Sequence, residues 1–321
     1  MKNKKTTIII TLSAAITSAL GILFTFNKVI EKLATSKNLL AEHHHETYHW
    51  RFGDIAYRVS GEGHPIFLIH DLESGSSSVE WSSIIQKLSK TNTVYAVDLL
   101  GCGLSEHTGI TYTNHIYTQL INDFIHDIIK QKTSVVATGK SASFLLESCG
   151  INENVFEELI LINPDSIKAF RKAPSKRTKT ACLILKLKII GTFIYNKLNT
   201  KKCFEKRFEE DYFYDKEKIP EALVDYYYES AHLGGFFAKN LYVSQSGRYT
   251  NVNIIRSLKS INKNIHILAS AELPDIRKTI KEYQYYNPAI EVEYMDYVRK
   301  LPQLEAPDEI VKYIRLYLYQ L

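Results

Sequence analysis

The chain has 321 residues, of which 45% are hydrophobic and 23% charged, and its formal net charge is +5. This length allows one large α/β domain with an insertion, and the composition is that of a globular protein. So small a net charge gives no reason to expect a nucleic-acid partner. The four cysteines are widely spaced and form no zinc-type pattern, so we expect free thiols and neither a metal nor another cofactor.

An uncharged, largely apolar stretch, 6–27, is flanked by lysines near the N-terminus. Its length matches the ~20 residues that a helix needs to cross a bilayer. A cleaved signal peptide is the alternative, but the apolar run continues past the one weak cleavage signal. We therefore expect a single-pass membrane anchor, either a transmembrane helix or an uncleaved signal anchor. Lysines on both sides leave its orientation open.

The segment 28–46 is expected to be a solvated linker, and it contains the consecutive histidines 43–45. Two β-type segments, 48–52 and 55–59, flank a Gly53-Asp54 turn and predict a hairpin. The short apolar runs that follow predict strands buried on both faces; they lie at 66–69, 94–97, 134–138 and 159–162. Helical spacing separates them, at 77–88, at 112–129 and after 141.

This alternation predicts an α/β domain over 47–321, with a mostly parallel central sheet, helices on both faces and an N-terminal hairpin. From 165 to 263 the pattern is helical throughout, which predicts an inserted all-helical cap. Alternation then resumes, with strands at 265–269 and 291–294 and helices at 277–286 and 307–318.

The cap is unusually basic at its start, with thirteen basic residues and one acidic residue over 168–207. An apolar stretch with interspersed lysines, 181–195, suits contact with an anionic membrane surface. The alternative is a cap helix that packs on the core and leaves its lysines in solvent.

A serine with the setting of a nucleophile follows the run 134–138, in Gly139-Lys140-Ser141-Ala142-Ser143. A strand, a sharp turn with serine and then a helix form a nucleophile elbow. Further segments at 63–71, 98–105, 161–164 and 301–307 come in a fitting order. With them, the chain resembles the α/β-hydrolase superfamily over 47–321, which implies the α/β-hydrolase fold.

The resemblance implies that Ser141 is the nucleophile and that the backbone N–H groups of Ala142 and Leu72 form the oxyanion hole. The acid of the family would correspond to Asp275 or to a neighbour, with Glu272 and Asp165 as other positions. Asp71 stands where the family usually has glycine, and would place a carboxylate beside developing negative charge.

The catalytic histidine of the family is missing, since the last histidine of the chain is His266, within a predicted strand. Lys300 lies near the expected position, but would act as a base only if desolvation lowered its pKa by several units. His70 and His232 are possible surrogate bases, each with a structural role as the alternative.

Two functions therefore stay open. The first is a membrane-anchored hydrolase of ester or other acyl bonds, which acts on a small apolar or acyl substrate. The second is a catalytically degraded relative that binds a lipid, a small apolar ligand or a protein partner. The resemblance to the family favours the first function, whereas loss of the base, which costs several orders of magnitude in rate, favours the second.

Overall fold

The computed structural model describes residues 2–42 and 44–319, with side chains from residue 10 onward. His43 of the predicted linker lies outside these residues. Eight strands form one sheet: β1 Glu46–Trp50, β2 Gly53–Ser60, β3 His64–Ile69, β4 Asn92–Val97, β5 Thr133–Thr138, β6 Phe156–Ile162, β7 Ile265–Ser270 and β8 Glu291–Met295.

The spatial order of the strands is β1-β2-β4-β3-β5-β6-β7-β8. The hairpin β1–β2 and the pair β2–β4 are antiparallel, and all remaining neighbours are parallel. Strands β3, β5, β6 and β7 are almost wholly buried along their length. Their continuous apolar runs fit a sheet covered on both faces, which confirms the predicted mixed α/β class.

Fourteen α-helices lie within the described residues. They are α1 Lys2–Ala34, α2 Ser82–Leu88, α3 Asn114–Phe124, α4 Ser141–Ile151, α5 Ile167–Phe170, α6 Lys176–Lys186, α7 Ile190–Leu198, α8 Lys201–Arg207, α9 Leu223–His232, α10 Lys239–Ser246, α11 Ile255–Ser260, α12 Ile276–Tyr286, α13 Pro302–Glu305 and α14 Pro307–Tyr319.

Helices cover both faces of the sheet. On one face, side chains of α3, α4, α11 and α12 pack against the sheet in the larger core cluster, which includes Phe67, Phe124 and Tyr283. On the other face, α2 and α14 pack in a smaller cluster around Trp81. The segment between β6 and β7 is helical, from α5 to α11, and its aromatic side chains form a third cluster around Phe208.

The helix α1 is 33 residues long, which corresponds to about 50 Å. The stretch Ile10–Ala34 is long and apolar enough to cross a membrane by length and composition. Further along α1, partly or fully buried residues recur every three or four positions and so form one face: Leu20, Leu23, Asn27, Ile30 and Ala34.

That face of α1 packs against α7 and α9 of the cap. The buried Asn27 donates to the carbonyl of Ile189 at 3.0 Å and accepts from the amide of Asn196 at 3.1 Å. The backbone N–H groups of Leu39 and Leu40 donate to the Glu229 carboxylate. The segment 28–46 therefore differs from the solvated linker that the sequence suggested, because its described part continues α1 to Ala34 and docks on the cap.

Glu80 is a buried carboxyl group where the cap meets the sheet domain. It accepts from the Tyr227 hydroxyl of α9 at 2.6 Å and from the Gln303 amide of α13 at 3.3 Å. Burial, reinforced by the negative charges of Asp71 and Glu73, raises the pKa of Glu80 from 4.5 to about 8 against the opposing hydrogen bonds. Glu80 is therefore protonated at neutral pH.

We expect the free energy of unfolding to fall as the pH rises from about 5 to about 8. Over this window the unfolded chain has already lost the Glu80 proton while the native state retains it, so the native state binds more protons. Glu80→Gln keeps a neutral group of the same shape and should flatten this dependence. Denaturant unfolding across the pH range measures it, with the exposed Glu62→Gln as control; an unchanged slope in Glu80→Gln would contradict the assignment.

Candidate functional site

A cavity of about 790 Å³ opens between the cap and the carboxyl ends of the central strands, where ligands bind in open α/β sheets. Its lining is unusually rich in charge. The basic residues of the lining are Lys140, Arg207, Arg299 and Lys300, and the acidic ones are Asp71, Glu73, Asp165, Glu210, Asp211 and Glu272. This lining suits a charged ligand better than the apolar or acyl ligand expected from the sequence.

The turn between β5 and α4 places Gly139 at the position of the nucleophile. Gly139 directly follows β5 and has a positive φ of 54°, and Ser141 already begins α4. A nucleophile elbow holds its nucleophile at this strained strand-to-helix turn, and the next backbone N–H belongs to the oxyanion hole. The next residue here is Lys140. The chain therefore carries glycine where the elbow presents a side chain.

The oxyanion position is occupied by the Asp71 carboxylate. Its Oδ1 accepts from the backbone N–H groups of Leu72 and Lys140, each at 2.8 Å. A Cβ placed on Gly139 would come within 2.5 Å of both carboxylate oxygens. The two N–H groups that would stabilise a tetrahedral intermediate are thus satisfied by a side chain of the protein itself.

Lys300 completes this arrangement as a cation. Its ammonium lies 3.2 Å from Asp71 Oδ2, pairs closely with Glu73 and stands 4.7 Å from the centre of the Tyr212 ring. Desolvation would lower the pKa of Lys300, but the Glu73 and Asp71 carboxylates hold it well above its usual value. A lysine in this state has no lone pair with which to accept a proton, so the structure does not support Lys300 as the base.

The loop that carries Lys300 is fixed by the ends of two strands. The Asn163 amide donates to the carbonyl of Arg299 at 3.0 Å, and the Ser270 hydroxyl donates to the same carbonyl at 2.6 Å. Glu305 adds a hydrogen bond from the Arg299 N–H at 3.0 Å. Lys300 is therefore held in place by backbone geometry as well as by charge.

The residues expected as nucleophile and second oxyanion donor lie away from the cavity. Ser141 is fully buried, and its hydroxyl donates to the His70 carbonyl at 2.7 Å. Ala142 is also fully buried in the first turn of α4, and neither residue lines the cavity. The N–H groups that converge on Asp71 Oδ1 are those of Leu72 and Lys140, and Ala142 is not among them.

The two candidate histidines are engaged elsewhere. His70 accepts from the Leu99 N–H through Nε2 at 3.0 Å, so its Nδ1 carries the proton donated to the Asp71 carbonyl at 2.7 Å. Burial lowers the pKa of His70, which keeps the ring neutral. His232 is buried in the cap, where its Nδ1 lies 2.7 Å from the Tyr228 carbonyl. Neither ring forms a hydrogen bond with the Ser141 hydroxyl.

Among the possible acids, Asp275 is exposed at the beginning of α12 and does not line the cavity. Asp165 and Glu272 do line it. Desolvation within the cavity, reinforced by the charge of Asp71, raises the pKa of Asp165 to about 6 although its side chain is open to the cavity. The described residues contain no cluster of metal-ligating side chains that could hold an ion.

The positive φ of this turn lies at Gly139, two residues before the serine that the sequence suggested as nucleophile. Both Gly139-Lys140-Ser141-Ala142-Ser143 and Ala137-Thr138-Gly139-Lys140-Ser141 have small residues at the first and last positions, so either register fits the turn. The first register has a serine at its central position, where the second has glycine. Asp71 in place of glycine was the signal that the centre of the site is altered.

The comparisons with solved structures identify the architecture. A membrane phospholipase A, described as a bacterial virulence factor, superposes with a TM-score of 0.68 at 17% identity over 99% of this chain and 98% of its own. A meta-cleavage product hydrolase from Pseudomonas fluorescens superposes with a TM-score of 0.69 at 14% identity, over 86% of this chain and 97% of its own. The chain has the α/β-hydrolase fold.

Matches by sequence are weaker. No family model matches the chain. Uncharacterized proteins of Mycobacterium bovis and Mycobacterium tuberculosis are 25% identical over 140 residues, which is 42% of this chain and 40% of theirs. The 2-hydroxy-6-oxo-6-(2'-aminophenyl)hexa-2,4-dienoic acid hydrolase of Metapseudomonas resinovorans is 28% identical over 111 residues, which is 34% of this chain and 38% of that protein. The chain thus matches about two fifths of the length of these relatives.

We expect Lys300→Met to destabilise the protein by about 2–4 kcal/mol, because it leaves the Asp71 and Glu73 carboxylates together without their cation. The Lys300 side chain is partly open to the cavity, so the loss of stability is smaller than for a fully buried ion pair. Chemical denaturation measures it, with the exposed Lys90→Met as control. The double variant Lys300→Met/Glu73→Gln should recover part of the loss, and a purely additive result would contradict the ion pair.

Proposed function

We propose that this protein is a membrane-anchored ligand-binding member of the α/β-hydrolase fold that does not use Ser141 for hydrolysis. The observation that carries the proposal is the Asp71 carboxylate at the oxyanion position, bound by the N–H groups of Leu72 and Lys140 and neutralised by Lys300. A substrate carbonyl would have to displace a charge-paired group from this position. Gly139 offers no nucleophile in its place.

Although acidic residues outnumber basic ones in the lining, three of its cations favour an anionic group on the ligand. Lys140, Arg207 and Arg299 all line it, and none of them pairs with a carboxylate in the described part of the chain. Lys140 instead contacts the neutral side chains of Thr250 and Asn251. A small molecule with a carboxylate or phosphate would supply a counter-charge to these cations, and Asp165, which also lines the cavity, would accept from its hydroxyl or amino groups.

Membrane anchoring through α1 is part of the same proposal. From Lys2 to about residue 19, before the docked face begins, α1 extends for about 27 Å, close to the ~30 Å of a hydrocarbon core. The membrane phospholipase A that superposes on this chain does so over 99% of it, a span that includes α1. Docking of the remainder of α1 on the cap would hold the cavity close to the membrane.

Hydrolysis of an ester or other acyl bond with Ser141 as nucleophile is the competing function. The fold and its similarity to proteins described as hydrolases favour it. It would require that Asp71 leave the hole and that Ser141 turn from the His70 carbonyl into the cavity. It would also require a base, since the histidines named above are occupied by backbone groups or lie apart.

Labelling of the full-length protein in mild detergent with a fluorophosphonate probe separates the two functions. We expect no covalent labelling of wild type, of Ser141→Ala or of Asp71→Gly, because the Ser141 hydroxyl does not face the cavity and lacks a base. An active serine hydrolase in the same detergent serves as positive control, and a cooperative melting transition verifies folding. Labelling of wild type that disappears in Ser141→Ala would establish the competing function.

Thermal unfolding in the presence of defined small anions tests the ligand class. We expect glycerol 3-phosphate or succinate to raise the melting temperature, and neutral glycerol at the same concentration to leave it unchanged. Arg207→Met should reduce the shift, while Arg256→Met, an exposed arginine on α11, should not. Equal shifts in both variants, or no shift with either anion, would contradict an anionic ligand in this cavity.

A further inference from the structure

A second, separate cavity lies where α1 meets the cap. Its volume is about 690 Å³, and it is bordered by α1, by the turn at 109–111, by the end of α6, by the turn at 234–237 and by α10. Four lysines converge on it, namely Lys28, Lys186, Lys188 and Lys239. Its one acidic lining residue, Glu31, already pairs with Lys28 at 2.8 Å. We call this cavity the basic groove.

Lys239 is the most informative member of the basic groove. Its side chain is almost completely buried, with 4% of the residue exposed. Within the described residues its ammonium has one hydrogen-bond acceptor, the Lys186 carbonyl at 3.3 Å, and no ion pair. A buried ammonium group requires compensation for its lost hydration. Burial accordingly lowers the pKa of Lys239.

Aromatic and apolar side chains lie beside these cations. The ammonium groups of Lys28 and Lys188 each stand 4.8 Å from the centre of the Phe236 ring, and Phe24 of α1 packs against that ring at 5.8 Å. Phe237 is half exposed at the edge of the groove. Lysines with aromatic rings are typical of the level at which a protein meets the headgroups of a bilayer.

The position of the groove along α1 fixes its depth relative to the membrane. Lys28 lies about two and a half turns beyond the projecting part of α1, so the groove is close to the membrane-facing end of the docked part of the helix. Next to it, α6, the turn after it and the start of α7 expose a set of large apolar side chains: Leu183, Ile184, Leu187 and Ile190. A phosphate in the groove would therefore have apolar protein surface beside it on which acyl chains could lie.

We propose that the basic groove binds the headgroup of an anionic phospholipid from the bilayer that α1 crosses. The phosphate would lie between Lys188 and Lys239 and supply the counter-charge that these side chains lack within the described residues. This site is distinct from the cavity at Lys300 and takes a different ligand. It depends on the proposed insertion of α1, but not on whether the central cavity binds or hydrolyses a ligand.

The test uses full-length protein in a neutral detergent and the short-chain lipids dihexanoyl phosphatidylglycerol and dihexanoyl phosphatidylcholine, with inorganic phosphate as the free anion. The phosphatidylglycerol should raise the melting temperature in a saturable way, and the other two should not. Lys28→Gln/Lys188→Gln changes two exposed side chains and should weaken the apparent affinity by about tenfold. Lys239→Met should weaken it as well.

The matched control is Lys259→Gln/Lys312→Gln, two lysines outside the basic groove, which should bind like wild type. Equal shifts with phosphatidylcholine would mean non-specific lipid binding, and equal shifts with phosphate would mean a free-anion site. Either result would overturn the proposal, as would equal losses in the control pair. Resistance to alkaline extraction from membranes is measured in parallel and reports only whether α1 anchors the protein. It therefore distinguishes a protein that does not insert into the membrane from one whose basic groove does not bind the lipid.

Discussion

The Asp71 carboxylate is the group on which the centre of this molecule depends. One of its oxygens satisfies two backbone N–H groups, from the loop after β3 and from the turn after β5, and thereby ties these two strand ends together. Its other oxygen draws in Lys300 from the loop after β8. Because charge-assisted hydrogen bonds are short and directional, this single side chain fixes three loops at the carboxyl edge of the sheet.

In the proposed function, the same interaction opposes the chemistry that the fold usually carries out. An oxyanion hole works because its donors are unsatisfied until charge develops on the substrate. Here the donors hold a permanent negative charge, and the lysine that neutralises this charge is thereby kept protonated. Gly139 belongs to the same arrangement, since any side chain at that position would collide with Asp71. Nucleophile, hole and base are thus altered together, which argues for a coherent second use of the site.

In the proposed anchoring, the docking of α1 on the cap joins the membrane to this site. Asn27 makes two hydrogen bonds within this contact, and Phe26 packs on Phe193 of α7 at 5.5 Å. A flexible tether would let the domain tumble freely above the bilayer. A continuous helix that packs on the cap instead presents one side of the cap, with the basic groove, at a defined height. Both proposed ligand sites are then held in fixed relation to the membrane.

Local sequence determined most of the architecture. Short apolar runs bounded by turns predicted the parallel strands because burial on both faces needs apolar residues at every position, and helical spacing predicted the covering helices. The apolar length of α1 was also evident, but its docked face was not. The amphipathic spacing of that face is weak, and its partner in the cap is far away along the chain.

The site itself was decided by the tertiary structure. The register of the elbow was ambiguous because small residues occur at both spacings, and only the positive φ of Gly139 selected one of them. The ion pair of Glu73 with Lys300 joins residues 227 positions apart. A sequence shows that such charges exist but not that they meet. Whether Lys300 is a base or a counter-ion depends on that meeting, because the pKa of a side chain is a property of its surroundings and not of its identity.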